Sequence, residues 1–282
     1  MQNIKHLEKL ATQTRRDIVR MVHAQSSGHP GGSLGCVEYL IALYQVIMKH
    51  SPTPFNMDGT NEDIFFLSNG HISPVLYSVL ARSGYFDIKE LNSFRVIDSR
   101  LQGHPATHEG LEGIRIASGS LGQGLSVAIG SAIAKKMNND NSLVFTLHGD
   151  GELQEGQIWE AAMFAAANKV DNLIACIDYN GRQIDGDLDD VLSLGDLNSK
   201  WESFGWTVVE LENGNNMSDV ISTIKHAITL TGNNKPIVII MKTEMGYGVD
   251  YMMGTHKWHG NAPNDEQLAD ALSQLTETIG DY

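Results

Sequence analysis

Over the first two dozen residues, apolar side chains recur three and four positions apart (Leu7, Leu10, Ile18, Val22), and the spacing predicts an amphipathic helix over 3–24 and a second helix over roughly 36–49. The stretch between them, SSGHPGGSLG (26–35), is so rich in glycine, serine and proline that it reads as neither helix nor strand, but as a functional loop or a long turn. Downstream, short apolar runs take over: IFFLS (64–68), SLVFTLH (142–148), NLIACIDY (172–179), WTVVEL (206–211) and PIVIIMK (236–242). They alternate with helical stretches near 73–83, 122–137, 156–168 and 217–231, and a last amphipathic helix is expected near 264–279. Such alternation builds βαβ units, so the expected fold is α/β: a doubly wound, mostly parallel sheet with helices on both faces. With no internal repeat and no linker, residues 1–282 are read as one domain. Sheets of this kind bind ligands outside the carboxyl ends of their strands, which directs attention to the loops that follow them.

Residues 143–186, LVFTLHGDGELQEGQIWEAAMFAAANKVDNLIACIDYNGRQIDG, form a complete strand, turn, helix, strand, turn unit. Asp150 falls just past the first strand and Asn180 just past the second, and a right-handed crossover brings both to one edge of the sheet. Gly149 and Gly151 permit close approach of a ligand to the backbone, and the following helix offers unpaired N–H groups to an anion. A helix terminus contributes only about 0.3–1 kcal/mol toward an anion, or roughly 2 kcal/mol when partly buried, so a pyrophosphate here also calls for a divalent cation. The Asp150 carboxylate, the Asn180 side-chain carbonyl, a backbone carbonyl near Arg182 and two phosphate oxygens supply the oxygen set that Mg2+ or Ca2+ prefers. Histidine usage points the same way. Five of the eleven histidines (His29, His71, His104, His148 and His259) adjoin a glycine, a pattern that places imidazoles in loops. His6, His23, His50, His108 and His226 read as ordinary surface or hydrogen-bonded residues.

A GDG followed about thirty residues later by asparagine resembles the signature of thiamine diphosphate enzymes. The blocks SGHPGGSLG (27–35), SNGH (68–71), GHP (103–105), ASGSLGQGLSVAIG (117–130), GDGELQEG (149–156), YNGRQIDG (179–186) and THKWHG (255–260) resemble those of transketolases, in the same order and over nearly the whole chain. The resemblance implies a thiamine-diphosphate-binding fold with Asp150, Asn180 and the main chain of Arg182 at the metal. It implies that His71 and His259 approach the diphosphate, and that His29, His104 and His259 line the channel to the reactive carbon, with His256 nearby and His148 packed. It further implies that Gly119 accepts a hydrogen bond from the cofactor, Leu121 packs beneath it, and Ile184 and Met245 touch its thiazolium ring. Glu155 is expected at a subunit interface coupled to a carboxylate of a partner, with Glu160 a second candidate. Ser120 and the GGS run (31–33) depart from the usual pattern without disturbing these positions. Full-length transketolases continue into pyrimidine-binding and C-terminal domains after the WHG block. The implied function is therefore that of the N-terminal subunit of a split transketolase, which transfers a two-carbon ketol unit from a ketose phosphate to an aldose and is active in an α2β2 assembly with a C-terminal subunit. Deoxyxylulose phosphate synthase, one chain of a 2-oxo acid dehydrogenase and a non-catalytic cofactor-binding module stand as alternatives.

Charge and cysteine content narrow the partners. A formal charge of −14 without a lysine–arginine cluster argues against nucleic acid. Cys36 and Cys176 sit in apolar stretches with no metal or redox spacing, and no signal peptide or run of about 18 apolar residues occurs, so a cytoplasmic protein that neither enters nor crosses a membrane is expected.

Overall fold

The computed structural model describes residues 4–282, so Asn3, at the start of the first expected helix, lies outside the described residues. Five strands form one parallel sheet: β1 (Ile64–Leu67), β2 (Val144–Gly149), β3 (Leu173–Tyr179), β6 (Thr207–Leu211) and β7 (Ile237–Lys242), in the order β1-β2-β3-β7-β6. A short antiparallel hairpin, β4 (Arg182–Gln183) with β5 (Gly186–Asp187), follows β3. The five strands of the parallel sheet were legible as apolar runs because both faces of that sheet are covered, whereas the polar hairpin β4–β5 gave no such signal. Phe65, Leu67, Phe145, Leu147, Ile174, Ile237 and Ile239 enter one core, while Ile64, Phe66, Val144, Ala175, Ile177, Val238 and Ile240 enter the other. The first core lies under α1 (Ile4–Ala24), α3 (Val37–Ala42), α4 (Ser73–Arg82), α9 (Met217–Thr229) and α10 (Asp265–Gln274). The second lies under α5 (Gly124–Met137), α6 (Gly156–Ala167) and α8 (Leu197–Ser203).

Three sequence expectations change. The segment 26–35 is only partly a loop, because Pro30–Gly35 forms a fully buried helix, α2. Proline suits its first turn, where an N–H has no partner in any case. Its glycines, which lower helix propensity, are required by packing: a Cβ on Gly31 would lie 2.7 Å from Met245 Cγ and 2.8 Å from the Trp258 carbonyl oxygen, and one on Gly32 would lie 2.9 Å from Ile72 Cγ2. The second helix is α only as far as Ala42 and continues as a π-turn, Leu43–Ile47. The last helix stops at Gln274 rather than near 279, because the following chain is drawn back across α1. There Gln13 Oε1 accepts from the Thr278 and Ile279 amides, and Arg16 Nη2 pairs with Asp281 at 2.7 Å. Two short helices, α7 (Leu188–Leu192) and α8, had no clear periodic signal. Among the described residues no helix is long and apolar enough to cross a membrane.

Candidate active site

The parallel registers Leu67↔Leu147 and Gly149↔Asp178 bring the carboxyl ends of β1, β2 and β3 to one edge, where the loops enclose a cavity of about 250 Å³. Asn69 and His71 follow β1, Gly149 ends β2 and Asp150 to Glu152 follow it, and Asn180, Arg182, Gln183 and Ile184 follow β3. His29 stands at the amino end of α2, His104 comes from the loop after α4, Gly119 and Leu121 from the turn before α5, and His259 from the turn 256–259. Residues up to 230 positions apart in the chain thus share one wall-to-wall site.

The four imidazoles form a cluster. His29 lies with its ring centre 5.1 Å from His71, 6.4 Å from His104 and 5.7 Å from His259, and the His71 and His259 rings stack at 5.1 Å. Burial and the neighbouring His259, Arg95 and His104 push the His29 pKa down to about 4. Burial first, then His259, His29 and His104, carries His71 well below its ordinary value, and burial with Arg95 lowers His104. His259 is also lowered by burial, against the opposing pull of Asp185. At neutral pH the ring set is therefore neutral, each imidazole having one donor and one acceptor nitrogen for a hydroxyl or carbonyl oxygen. His29 Nδ1 and Asn69 Oδ1, both in the lining, are buried with no hydrogen-bond partner among the described residues.

The same cavity holds a concentration of oxygen. Asp150 is 1% exposed, and its two carboxylate oxygens accept the amides of Gly151 (2.7 Å) and Gly181 (2.6 Å). Burial and the charge of Asp178 raise its pKa to about 7. Asp178 accepts from the Thr243 hydroxyl and, at 2.9 Å, from the Asn180 side-chain nitrogen. An acceptor-only carboxylate thereby holds the amide nitrogen of Asn180 and leaves its Oδ1 as the end that accepts, at 3.0 Å, from the Arg182 amide. The Arg182 guanidinium is engaged by Asp187 and Glu244, so any role toward a cation falls to its main-chain carbonyl. Two buried carboxylates, an oriented amide oxygen and unpartnered buried polar atoms in one cavity fit a hard divalent cation together with a polyanionic ligand.

Of the residues singled out from sequence, His29, His71, His104, Gly119, Leu121, Gly149, Asp150, Gly151, Asn180, Arg182, Ile184 and His259 all line this cavity. Met245 does not. It is buried at 1% exposure with its side chain against Gly31, supporting α2 from below. Glu155 is also outside the lining, exposed at the position that precedes α6 and making no capping bond from its side chain, and Glu160 is exposed on the same helix. His148 is packed at 1% exposure with Nε2 2.6 Å from the Thr146 hydroxyl, as expected. Asn69, Glu152, Asp178 and Gln183 line the cavity without having been singled out. Asp178 was recoverable, being the last inward-facing residue of a strand whose loop carries Asn180. Glu152 had no such signal, since only the fold shows that the first glutamate after GDG turns inward.

Comparison with known proteins accords with this geometry. The family described as "Transketolase, thiamine diphosphate binding domain" matches residues 7–278. A Phocaeicola vulgatus protein named as one subunit of an apulose-4-phosphate transketolase is 39% identical over 276 residues, covering 98% of this chain and 96% of that protein. The 6-deoxy-6-sulfo-D-fructose transketolase subunit SqwG from a Clostridium species is 37% identical over 269 residues, covering 95% and 96%. The crystal structure of Campylobacter jejuni transketolase superposes with a TM-score of 0.88 at 34% identity over 97% of this chain, which spans 43% of the length of that enzyme. The parallel sheet, the cavity at its carboxyl edge and these matches agree: the chain belongs to the transketolase thiamine diphosphate-binding domain family.

Proposed function

We propose that residues 1–282 act as the single pyrophosphate-binding domain of a split transketolase, which transfers a two-carbon ketol unit from a ketose phosphate to an aldose once a C-terminal subunit completes the site. The observation that carries this reading is the pairing, in one cavity, of Asp150 and Asn180 with four neutral imidazoles. Relatives of nearly the same length are named as subunits of transketolases acting on apulose-4-phosphate and 6-deoxy-6-sulfo-D-fructose, which supports both a ketose substrate and a partner subunit. Thiamine diphosphate, when bound, supplies the nucleophilic carbon and the electron sink for carbon–carbon cleavage.

The residues of this chain bind, orient and move protons. Asp150, the Asn180 carbonyl and the Arg182 main chain would hold Mg2+ or Ca2+, whose charge would offset the repulsion between Asp150 and Asp178 and favour a diphosphate. Gly149 and Gly151 keep the backbone bare at the point of approach. His71 acts toward the diphosphate and His259 toward both ends of the ligand, while His29 and His104 exchange protons with the hydroxyl and carbonyl oxygens of the sugar, an effect typically worth about 10²–10⁴ in rate. Gly119, Leu121 and Ile184 shape the wall against the cofactor, while the buried Met245 supports α2, whose amino end carries His29. Glu155 is exposed beside the turn that carries Leu121 and meets the partner subunit in a cytoplasmic α2β2 assembly. The test is to co-purify the chain with a C-terminal transketolase subunit, then supply thiamine diphosphate, Mg2+, a ketose phosphate and an aldose. Two-carbon-extended product is expected by mass spectrometry. Product from pyruvate and glyceraldehyde 3-phosphate, oxidation of a 2-oxo acid, or no reaction would instead support the synthase, dehydrogenase or non-catalytic reading.

A further inference from the structure

Glu152 is 2% exposed and lies in the cavity lining, yet nothing in the proposed chemistry uses it. Its Oε1 accepts the Ser68 hydroxyl and, at 2.8 Å, the Gly122 amide; its Oε2 accepts the Gly149 amide at 3.1 Å and lies 3.5 Å from His148 Nδ1. Ser68 Oγ in turn accepts the Gly124 amide at 3.1 Å. One carboxylate thus gathers donors from three segments distant in sequence: the end of β1, the turn before α5 and the end of β2. Each of them carries cavity residues, respectively Asn69 and His71, Gly119 and Leu121, and Gly149 and Asp150.

The segments also touch without slack. A Cβ on Gly70 would fall 2.2 Å from the Ser118 carbonyl oxygen, and one on Gly124 would fall 2.4 Å from Ser68 Cβ. No apolar side chain fits between these backbones, so polar bonds must hold the turn, and Glu152 supplies the acceptors. A carboxylate suits this position because it accepts at both oxygens, whereas an amide would turn an NH2 toward one of the donor N–H groups. Buried N–H groups deprived of their acceptor gain by moving to water, which gives the loosened turn a direction, outward.

We propose that Glu152 is a positioning residue of this site, fixing the 118–124 turn against the ends of β1 and β2 so that the cavity is formed before a ligand enters. The claim rests on the transketolase reading only in taking that ligand to be thiamine diphosphate. Hydrogen exchange of the full chain without cofactor tests it, using Glu152→Met, which removes both acceptor oxygens at similar side-chain length, and Ser68→Ala, which removes the bond from β1. Both variants are expected to exchange amides of residues 118–125 about tenfold or more faster than wild type, with α1, β3 and β7 unchanged. In complex with the C-terminal subunit, Glu152→Met should weaken thiamine diphosphate binding by a comparable factor, with a smaller change in kcat at saturating cofactor. Unchanged exchange at 118–125, equal acceleration in every segment, or a loosened turn with undiminished cofactor affinity would each overturn the proposal. A wild-type complex that binds no thiamine diphosphate would count against the transketolase reading instead, because the exchange comparison uses no cofactor.

Discussion

Asp150→Asn offers a way to measure the charge at the centre of the site without any cofactor. The substitution keeps the shape and removes the ionisation. In the folded chain, burial and Asp178 raise the Asp150 pKa from 3.8 to about 7. Between those values the folded chain retains a proton that the unfolded chain has released, so wild-type stability falls as pH rises through that window and levels off above it. From pH 5 to pH 8 the two pKa values give a loss of about 2.5 kcal/mol, equivalent to a fall of about 4 °C in Tm for a chain of this length. Asparagine does not titrate. Whatever the lost bonds to the Gly151 and Gly181 amides cost, they cost it at both pH values and cancel in the comparison. The stability of Asp150→Asn relative to wild type should therefore shift by about 2.5 kcal/mol in the variant's favour between pH 5 and pH 8. Urea titrations in EDTA, followed by the fluorescence of the four tryptophans, give both curves. Mg2+ with thiamine diphosphate, added to the complex at pH 8, should then stabilise wild type and leave the variant unmoved, by about 2.7 kcal/mol at a hundredfold excess over Kd. Parallel pH profiles for the two proteins would refute the claim that Asp150 carries an unneutralised charge in the cavity. An equal gain from metal and cofactor would refute its role as the metal's carboxylate.

Two further predictions come from packing and from position. Gly31→Ala places a methyl 2.8 Å from the Trp258 carbonyl oxygen, which cannot rotate away as the Met245 side chain can; urea denaturation should show a loss of about 1–3 kcal/mol, and displacement of the adjoining His259 turn should weaken cofactor binding as well. His71→Ala should raise the Kd for thiamine diphosphate, whereas His104→Ala, on the exposed side of the imidazole cluster, should lower kcat with little change in that Kd; titration calorimetry and steady-state kinetics on the reconstituted complex separate the two, and equal loss of cofactor in both variants would contradict the division of roles.

The sequence alone determined the fold class and most of the residues that line the cavity. Strands covered on both faces must be apolar at consecutive positions, so β1, β2, β3, β6 and β7 stand out as runs. A parallel register then places whatever follows neighbouring strands at one edge, which is why Asp150 and Asn180 could be paired before any coordinates. The glycine-flanked histidines were likewise legible, since His29, His71, His104 and His259 serve in loops that need bare backbone beside them. Tertiary structure decided what depends on contacts between distant segments. The helix at Pro30–Gly35 opposes local propensity, and its glycines answer to packing, since Ile72, Met245 and Trp258 leave no room for a side chain on Gly31 and Gly32. Met245, read as a ligand contact, supports α2 instead, because apolar side chains carry no mark of which surface they meet. Of the two glutamates in GELQEG, the turn after β2 carries Glu152 inward to Ser68 and Gly122 and leaves Glu155 at the surface. Their chemistry is identical, and only the path of the chain through space tells them apart.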